Sequence, residues 1–442
     1  MTQPFKPHYP PLETDWSRDA IVGKSRRFTS PSTHTFQAYA QPLLLKQGDG
    51  AYLWDAAGRR YVDLEAQNLC IRVGYTHPLV NSEGKRQMDL LTHCTAKFLS
   101  AAAAHYAEEL AGRFPSGHEW VVQLVNSGGE AVDLALTMAR VFTGHADLIA
   151  LKTAYHGIQG AAMAATGIHL FRQPVPPAAR VLHVANPHSY RDELRETAED
   201  YLAEIDAAIA SATPGKVAGM IVEPVQGFGG VIPLPDGYLA GAFERIRAAG
   251  GVGIVDEIQT GFTRTGEHFW GFEADGVLPD IVVLGKGIGN GFPLSAVVAR
   301  KEIAAAIAEK IWFSTYGSNP MSATAGRAVL RAIDEDRTLQ RAREIGGRFK
   351  TKLQALQAKY DLIGDVRGTG FLLGVELVSD RRTKQPADTE AGRIAEHARE
   401  NGVIVGKGGE LGNVLRINPP FCIQDDDVDL CIEVLDQAFR EV

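Results

Sequence analysis

Apolar positions along the chain fall into distinct textures. Between residues 43 and 64, three short apolar runs (43–45, 51–54 and 61–64) are separated by Gly48-Asp49-Gly50 and Ala57-Gly58. Such punctuation predicts a small antiparallel meander. From about residue 98, compact β-rich runs at 121–125, 148–151, 181–184, 217–222, 252–255 and 281–284 alternate with helix-period segments such as 131–142, 202–209 and 238–248. Runs that are apolar at consecutive positions suit strands buried on both faces, and their alternation with helices predicts an α/β layer around a mostly parallel sheet. A long charged helix is expected over 339–360. The remainder, 362–442, mixes short strands and helices and predicts a smaller α+β unit that the N-terminal meander joins. The first ~35 residues show no apolar period and read as irregular.

Composition narrows the class. With 442 residues, 45% of them apolar and 22% charged, the chain can bury a large core. The 45 basic and 53 acidic residues leave a net charge of −8, which argues against a nucleic-acid or membrane-surface partner. Cys70, Cys94, Cys422 and Cys431 show no Cys-x-x-Cys spacing, so neither a zinc site nor a disulfide scaffold is indicated. No apolar run approaches the roughly 18 residues of a membrane span. Residues 1–15 are proline-rich and polar, unlike a signal peptide. These features together predict a cytoplasmic protein with reduced thiols.

Glycine-rich α/β sequences invite nucleotide motifs, but Gly285-Lys-Gly-Ile-Gly-Asn-Gly291 is not G-x-G-x-x-G in any register. Gly23-Lys-Ser25 lacks the upstream glycine of a P-loop, and neither H-E-x-x-H nor G-x-S-x-G occurs. Two strand ends stand out instead. Asp256 follows the run 252–255 and Lys286 follows the run 281–284. Carboxyl ends of parallel strands line the ligand crevice of an open sheet, so neighbouring strands would face both residues into one pocket. A desolvated lysine forms Schiff bases, and an acid keeps a pyridinium nitrogen protonated; together they define a pyridoxal-phosphate site. An ordinary Asp–Lys ion pair satisfies the same pattern. Asn126-Ser127-Gly128-Gly129 lies between a strand and a helix start, which suits either phosphate binding or simple helix capping. Tyr155 follows the run 148–151 and suits either stacking on a flat ring or a place in the core.

Taken together the motifs resemble class III pyridoxal-phosphate (PLP) aminotransferases of fold type I. They are Asn126-Ser-Gly-Gly-Glu-Ala131, Tyr155-His-Gly157, Glu223-Pro-Val-Gln-Gly227, Asp256-Glu-Ile-Gln-Thr-Gly-Phe262, Gly285-Lys-Gly-Ile-Gly-Asn-Gly-Phe-Pro293, Ser314-Thr-Tyr-Gly-Ser-Asn-Pro320 and Asp365-Val-Arg-Gly-Thr-Gly370. They stand in the family's order across about residues 40–440. The tail Asn413-Val-Leu-Arg416-Ile-Asn-Pro-Pro420 looks most like the alanine–glyoxylate (β-aminoisobutyrate–pyruvate) branch.

The resemblance implies a large PLP-binding domain over 66–335 with a mostly parallel seven-stranded sheet. A small α+β domain would be built from 1–65 and 336–442. It implies a ping-pong transaminase acting on an amino acid or amine and a 2-oxo acid, pyruvate or glyoxylate. Lys286 would hold the cofactor as an internal aldimine and move the proton, while Asp256 would pair with the ring nitrogen. Gln259 would bind the ring 3-oxygen, Tyr155 would cover the ring, and Glu223 would support the same wall. Ser127, Gly128 and Gly129 would bind the phosphate. Thr315 would reach the neighbouring subunit's phosphate, which implies a homodimer, with a tetramer as a further option. Arg416 would clamp a substrate carboxylate.

The sequence also departs from the family. Gly129 stands where a hydroxyl residue is usual, and Tyr75 replaces the first histidine of Gly-His-x-His-Pro. Asn68 and Arg72 occupy a segment that is ordinarily small or apolar. That segment shapes the substrate pocket, which makes Asn68 and Arg72 candidate substrate contacts, with Arg72 as a second anion clamp. Phe228 stands where some relatives with ω-amino donors carry an acidic gate. A racemase, decarboxylase or phospho-lyase on the same scaffold is the alternative reading, and a catalytically silent binding subunit is a third.

Overall fold

A computed structural model describes residues 12, 14–192, 194–195 and 197–442. Residues 1–11, part of the segment read as lacking a signal peptide, lie outside the described residues.

Seven strands form the central sheet, in the order Trp120–Val125, Ser295–Arg300, Ile281–Leu284, Val252–Asp256, Gly219–Val222, Leu148–Leu151 and Val181–Val184. Only Ser295–Arg300 runs antiparallel to its neighbours. The inner strands are buried along their whole length, in keeping with their near-continuous apolar runs. Side chains alternate between two cores with the strand period of two. Ile281 and Val283 pack on the same side as Leu134 and Met138 of helix Gly128–Thr143. Val282 and Leu284 face the opposite side, toward Val329 and Ile333 of helix Pro320–Glu335. Ser295–Arg300 escapes the sequence pattern because a polar residue at each end shortens its apolar stretch to Ala296-Val-Val-Ala299.

Beyond helix Thr338–Lys359 the chain builds an antiparallel sheet from Ile363–Thr369, Leu372–Asp380, Val414–Ile417 and Gly406–Gly408. The meander Leu45–Asp49, Tyr52–Asp55 and Arg60–Asp63 gains a fourth strand, Val403–Ile404, from the far end of the sequence. Ala51, Val62 and Leu64 accordingly share a core with Phe349, Leu377 and Val403. One correction falls near the N-terminus. Arg18–Phe28 is a helix, and so the first ~35 residues are not irregular throughout. None of its residues is buried, so it lacks the apolar stripe by which a sequence announces a helix. Among the described residues, no helix is long and apolar enough to cross a membrane.

Candidate active site

The parallel register places Asp256 opposite Val283. Lys286 lies three residues beyond Val283 and opens the turn Lys286–Gly289 with φ 50°. Both groups therefore reach one cavity of about 170 Å³ at the carboxyl ends of the strands. Its lining includes Asn68, Gly128, Gly129, Tyr155, Glu223 and Gln259. Burial lowers the pKa of the Lys286 amine, opposed by the charges of Asp256, Cys70 and Glu223.

Asp256 is closed off from solvent. Its Oδ2 is 2.8 Å from His156 Nδ1, and its Oδ1 accepts the Ile258 amide at 3.1 Å. His156 Nε2 is buried without a partner. Glu223 accepts the amides of Tyr155 and Gly227, each at 3.0 Å. Burial raises its carboxyl pKa, and the negative charge of Asp256 adds to the effect.

Ser127 caps helix Gly128–Thr143, its hydroxyl accepting the Glu130 amide at 3.3 Å. The helix thus starts at the cavity with its positive end toward it. A Cβ on Gly128 would stand 2.7 Å from Ile258 Cδ1, and one on Gly129 would stand 3.0 Å from Gln159 Oε1. Glycine is what leaves room there. Asn126 Nδ2 donates to Ser314 Oγ at 3.0 Å and so ties this turn to the loop that carries Thr315. Thr315 is exposed and does not line its own chain's cavity.

Tyr155 belongs to an aromatic wall. Its ring lies 4.8 Å from Phe171 and 5.0 Å from Phe228. The Arg416 guanidinium sits 4.8 Å over Phe228. Arg416 Nη2 donates to Gln259 Oε1 at 2.9 Å and Nη1 to Asn68 Oδ1 at 3.4 Å. Burial lowers the Arg416 pKa. The chain therefore brings Asn68, Gln259 and Arg416 together although two of these contacts span 348 and 157 residues.

Asn68 is presented by unusual backbone. Ala66, Gln67, Asn68 and Leu69 all have positive φ, from 48° to 65°. For residues with a Cβ this left-handed geometry costs about 1–2 kcal/mol each, so the surroundings must hold it.

Arg72 lies apart from the other candidate residues. It is fully buried, is not among the cavity-lining residues, and donates through Nη1 to the Gly261 carbonyl at 2.7 Å. Its guanidinium lies near the rings of Phe262 and Phe421. Burial pushes its pKa down to about 10. Only Nη1 is engaged by the backbone, while Nε and Nη2 are buried without hydrogen-bond partners. Conversely, sequence reading assigned no role to His156, Phe171 or the Phe228 ring. His156 adjoins Tyr155 after a strand end, which is the one signal that pointed to it.

The family described as Aminotransferase class-III matches residues 35–439. Alanine–glyoxylate aminotransferase 2 homolog 2, mitochondrial, of Arabidopsis thaliana is 43% identical over 98% of this chain and 90% of its own length. Alanine–glyoxylate aminotransferase 2, mitochondrial, of Homo sapiens is 35% identical over 99% and 90%. Among solved structures, a phospholyase from Arthrobacter in complex with phosphoethanolamine superimposes with TM-score 0.89 and 31% identity, covering 96% of this chain and 100% of that one. The chain belongs to the class III aminotransferases and is a PLP-dependent enzyme that moves an amino group from an amino donor to a 2-oxo acid. Transamination is favoured over the racemase, decarboxylase or lyase alternative. The mitochondrial names of both relatives overturn the cytoplasmic expectation.

The residues present fit the cofactor. Gly128 and Gly129, where a Cβ would crowd Ile258 and Gln159, open a helix whose positive end is turned to the cavity. A buried carboxylate stands at one strand end and a desolvated amine at the next.

Proposed function

We propose that this aminotransferase uses pyruvate or glyoxylate as acceptor and works as a homodimer through the residues assembled around Lys286. The observation that carries the reading is the convergence of Asp256 and the desolvated Lys286 amine in one cavity at adjacent strand ends.

When bound, PLP supplies an electron sink for the charge that develops at the substrate Cα. Lys286 would hold the cofactor aldehyde, and its Nζ, once released, would take the proton from the substrate Cα and deliver it to the cofactor's aldehyde-derived carbon, the transfer that separates transamination from racemisation. A lowered pKa leaves more of this amine neutral and able to accept that proton. The Asp256 carboxylate holds the positive ring nitrogen, with His156 fixing its orientation. Gln259 Oε1 already accepts from Arg416, which leaves the Gln259 amide hydrogens for the ring 3-oxygen. Tyr155 covers the ring and Glu223 braces the backbone beneath it. Ser127, Gly128 and Gly129 take the phosphate.

Arg416 offers its fork to the substrate carboxylate. Its partners in this structure are the neutral oxygens of Asn68 and Gln259, which a carboxylate can replace without displacing a charge. That favours α-carboxylate substrates such as alanine and small 2-oxo acids. Thr315, exposed in the single chain, would serve a neighbouring copy's phosphate, with pairs of dimers as the tetrameric option. A large cofactor domain over 66–335 and a small domain from 1–65 and 336–442 accord with the meander sharing its core with the C-terminal sheet.

The test is steady-state kinetics with a panel of amino donors against pyruvate and glyoxylate. Parallel double-reciprocal lines and loss of the lysine-bound cofactor absorbance in Lys286→Ala are expected. Intersecting lines, or a wild-type protein that binds no PLP, would overturn the reading.

A further inference from the structure

Tyr75, which replaces the usual histidine, is unexplained by the reading above. Its backbone is locked to Gly50 by two hydrogen bonds, Tyr75 N–H to Gly50 O at 2.8 Å and Gly50 N–H to Tyr75 O at 3.1 Å. Its ring lies so close to Gly48 that a Cβ there would come within 2.6 Å of it. Held in this way, the hydroxyl donates to Asp63 Oδ2 at 2.6 Å. Asp63 is fully buried at the end of the meander strand Arg60–Asp63. Its other oxygen accepts the amides of Glu65 at 2.8 Å and Ala66 at 3.0 Å. Those amides open the left-handed stretch Ala66–Leu69. One carboxylate therefore joins the anchored tyrosine to the first amides of a turn that is unfavourable on its own.

We propose that Asp63 and Tyr75 are positioning residues for substrate recognition. They hold the left-handed turn so that Asn68 meets Arg416, and they set the Arg416 fork for an α-carboxylate. This deepens the reading of Arg416 as the carboxylate clamp and rests on it. A left-handed residue points its side chain along a direction that extended or right-handed backbone does not reach. If the turn relaxes, Asn68 leaves Nη1 and the guanidinium gains freedom between Gln259 and Phe228. The consequence falls on binding of carboxylate substrates and spares proton transfer at Lys286.

The experiment compares holoenzymes with the donor saturating and the 2-oxo acid varied. Tyr75→Phe keeps the ring and removes the hydroxyl. It is expected to raise KM for the 2-oxo acid about threefold to tenfold, the range of one lost hydrogen bond. The kcat should stay within about twofold and the PLP dissociation constant should hold, because neither depends on this contact. Ala66→Gly, which makes the left-handed backbone inexpensive, should recover most of the KM in the Tyr75→Phe background. Should Tyr75→Phe fail to fold, Asn68→Gly accepts the same φ, removes only the amide, and must produce the same KM rise. An unchanged KM, a loss confined to kcat, or an equal weakening of PLP binding overturns the proposal. Arg416→Lys is the reference. If it leaves KM unaltered, the clamp itself is misassigned and both readings fall. If it raises KM while Tyr75→Phe does not, only the positioning role falls.

Discussion

His156 Nδ1 stands 2.8 Å from Asp256 Oδ2, and neither side chain meets solvent. A buried carboxylate must be supplied with donors, and this one has the imidazole on one oxygen and the Ile258 amide on the other. His156→Phe preserves bulk and strips Oδ2 of its partner. Leaving a buried acceptor unsatisfied costs about 1–3 kcal/mol, which corresponds to PLP binding weakened roughly five- to 150-fold if the cost falls on the cofactor-competent geometry. Titration of the apoenzyme with PLP, followed by absorbance, reads the change. An unaltered dissociation constant would reduce the pair to packing.

The Lys286 amine has a stability signature of its own. Burial holds its pKa below the ordinary 10.5, so between the depressed value and 10.5 the folded apoenzyme binds fewer protons than the unfolded chain. Stability therefore rises with pH across that window. Lys286→Met carries no such proton and lacks the rise. Urea midpoints of the two apoproteins from pH 7 to 10 should diverge, with the wild type gaining on the variant. Parallel curves would contradict a desolvated amine.

What the sequence discloses about this site depends on how local the signal is. Asp256 and Lys286 each end an apolar run, and the geometry of a parallel sheet turns two such ends into neighbours. Gly128 and Gly129 open a helix directly after a strand. The contacts of Arg416 are of another kind, because Asn68 lies 348 residues away and no period or spacing records the pairing. Arg72 shows the converse case, a residue whose surroundings are set by distant segments. It stands in sequence next to candidate pocket residues, but its Nη1 meets the carbonyl of Gly261 and its guanidinium lies near the rings of Phe262 and Phe421, which no local pattern records. The antiparallel strand Ser295–Arg300 is hidden by its polar ends, and helix Arg18–Phe28 by its exposure.

Gly227 tests how closely the pocket is fitted. A Cβ at this position would lie 2.0 Å from Gln259 Oε1 and 2.4 Å from Nε2. Gly227→Ala must therefore push the Gln259 amide aside, and Arg416 loses its 2.9 Å acceptor. Overpacking of this kind costs about 1–3 kcal/mol. Both KM for the 2-oxo acid and the PLP dissociation constant should rise, in contrast to Tyr75→Phe, because Gln259 is proposed to serve ring and clamp together. A rise in one alone would separate those roles.

Glu376 links the C-terminal sheet to the loop that carries Phe228. Arg367 Nη1 is 2.6 Å from Glu376 Oε2, and the same guanidinium donates from Nη2 to the Gly230 carbonyl at 2.6 Å. Arg191 pairs with Glu376 as well, and His188 Nε2 lies 3.7 Å away. Burial alone would raise the Glu376 carboxyl. The nearby His188 and the charges of Arg367 and Arg191 outweigh it and hold the pKa at about 2, against an ordinary 4.5. The folded state thus holds the deprotonated form more tightly than the unfolded chain does. This contribution is complete above the ordinary value and declines as pH falls from 4.5 toward about 2. Glu376→Gln leaves Arg367 with Asp365, 3.1 Å from the same Nη1, as its remaining counter-charge, and breaking the buried pair costs up to about 3–5 kcal/mol at neutral pH. Urea midpoints should show the variant well below the wild type at pH 7, with the gap narrowing once pH drops under about 5 as the unfolded carboxyl takes its proton. A gap that stays constant from pH 7 to pH 4 would mean that the variant is destabilised by altered packing around Gly230 and not by loss of the charge.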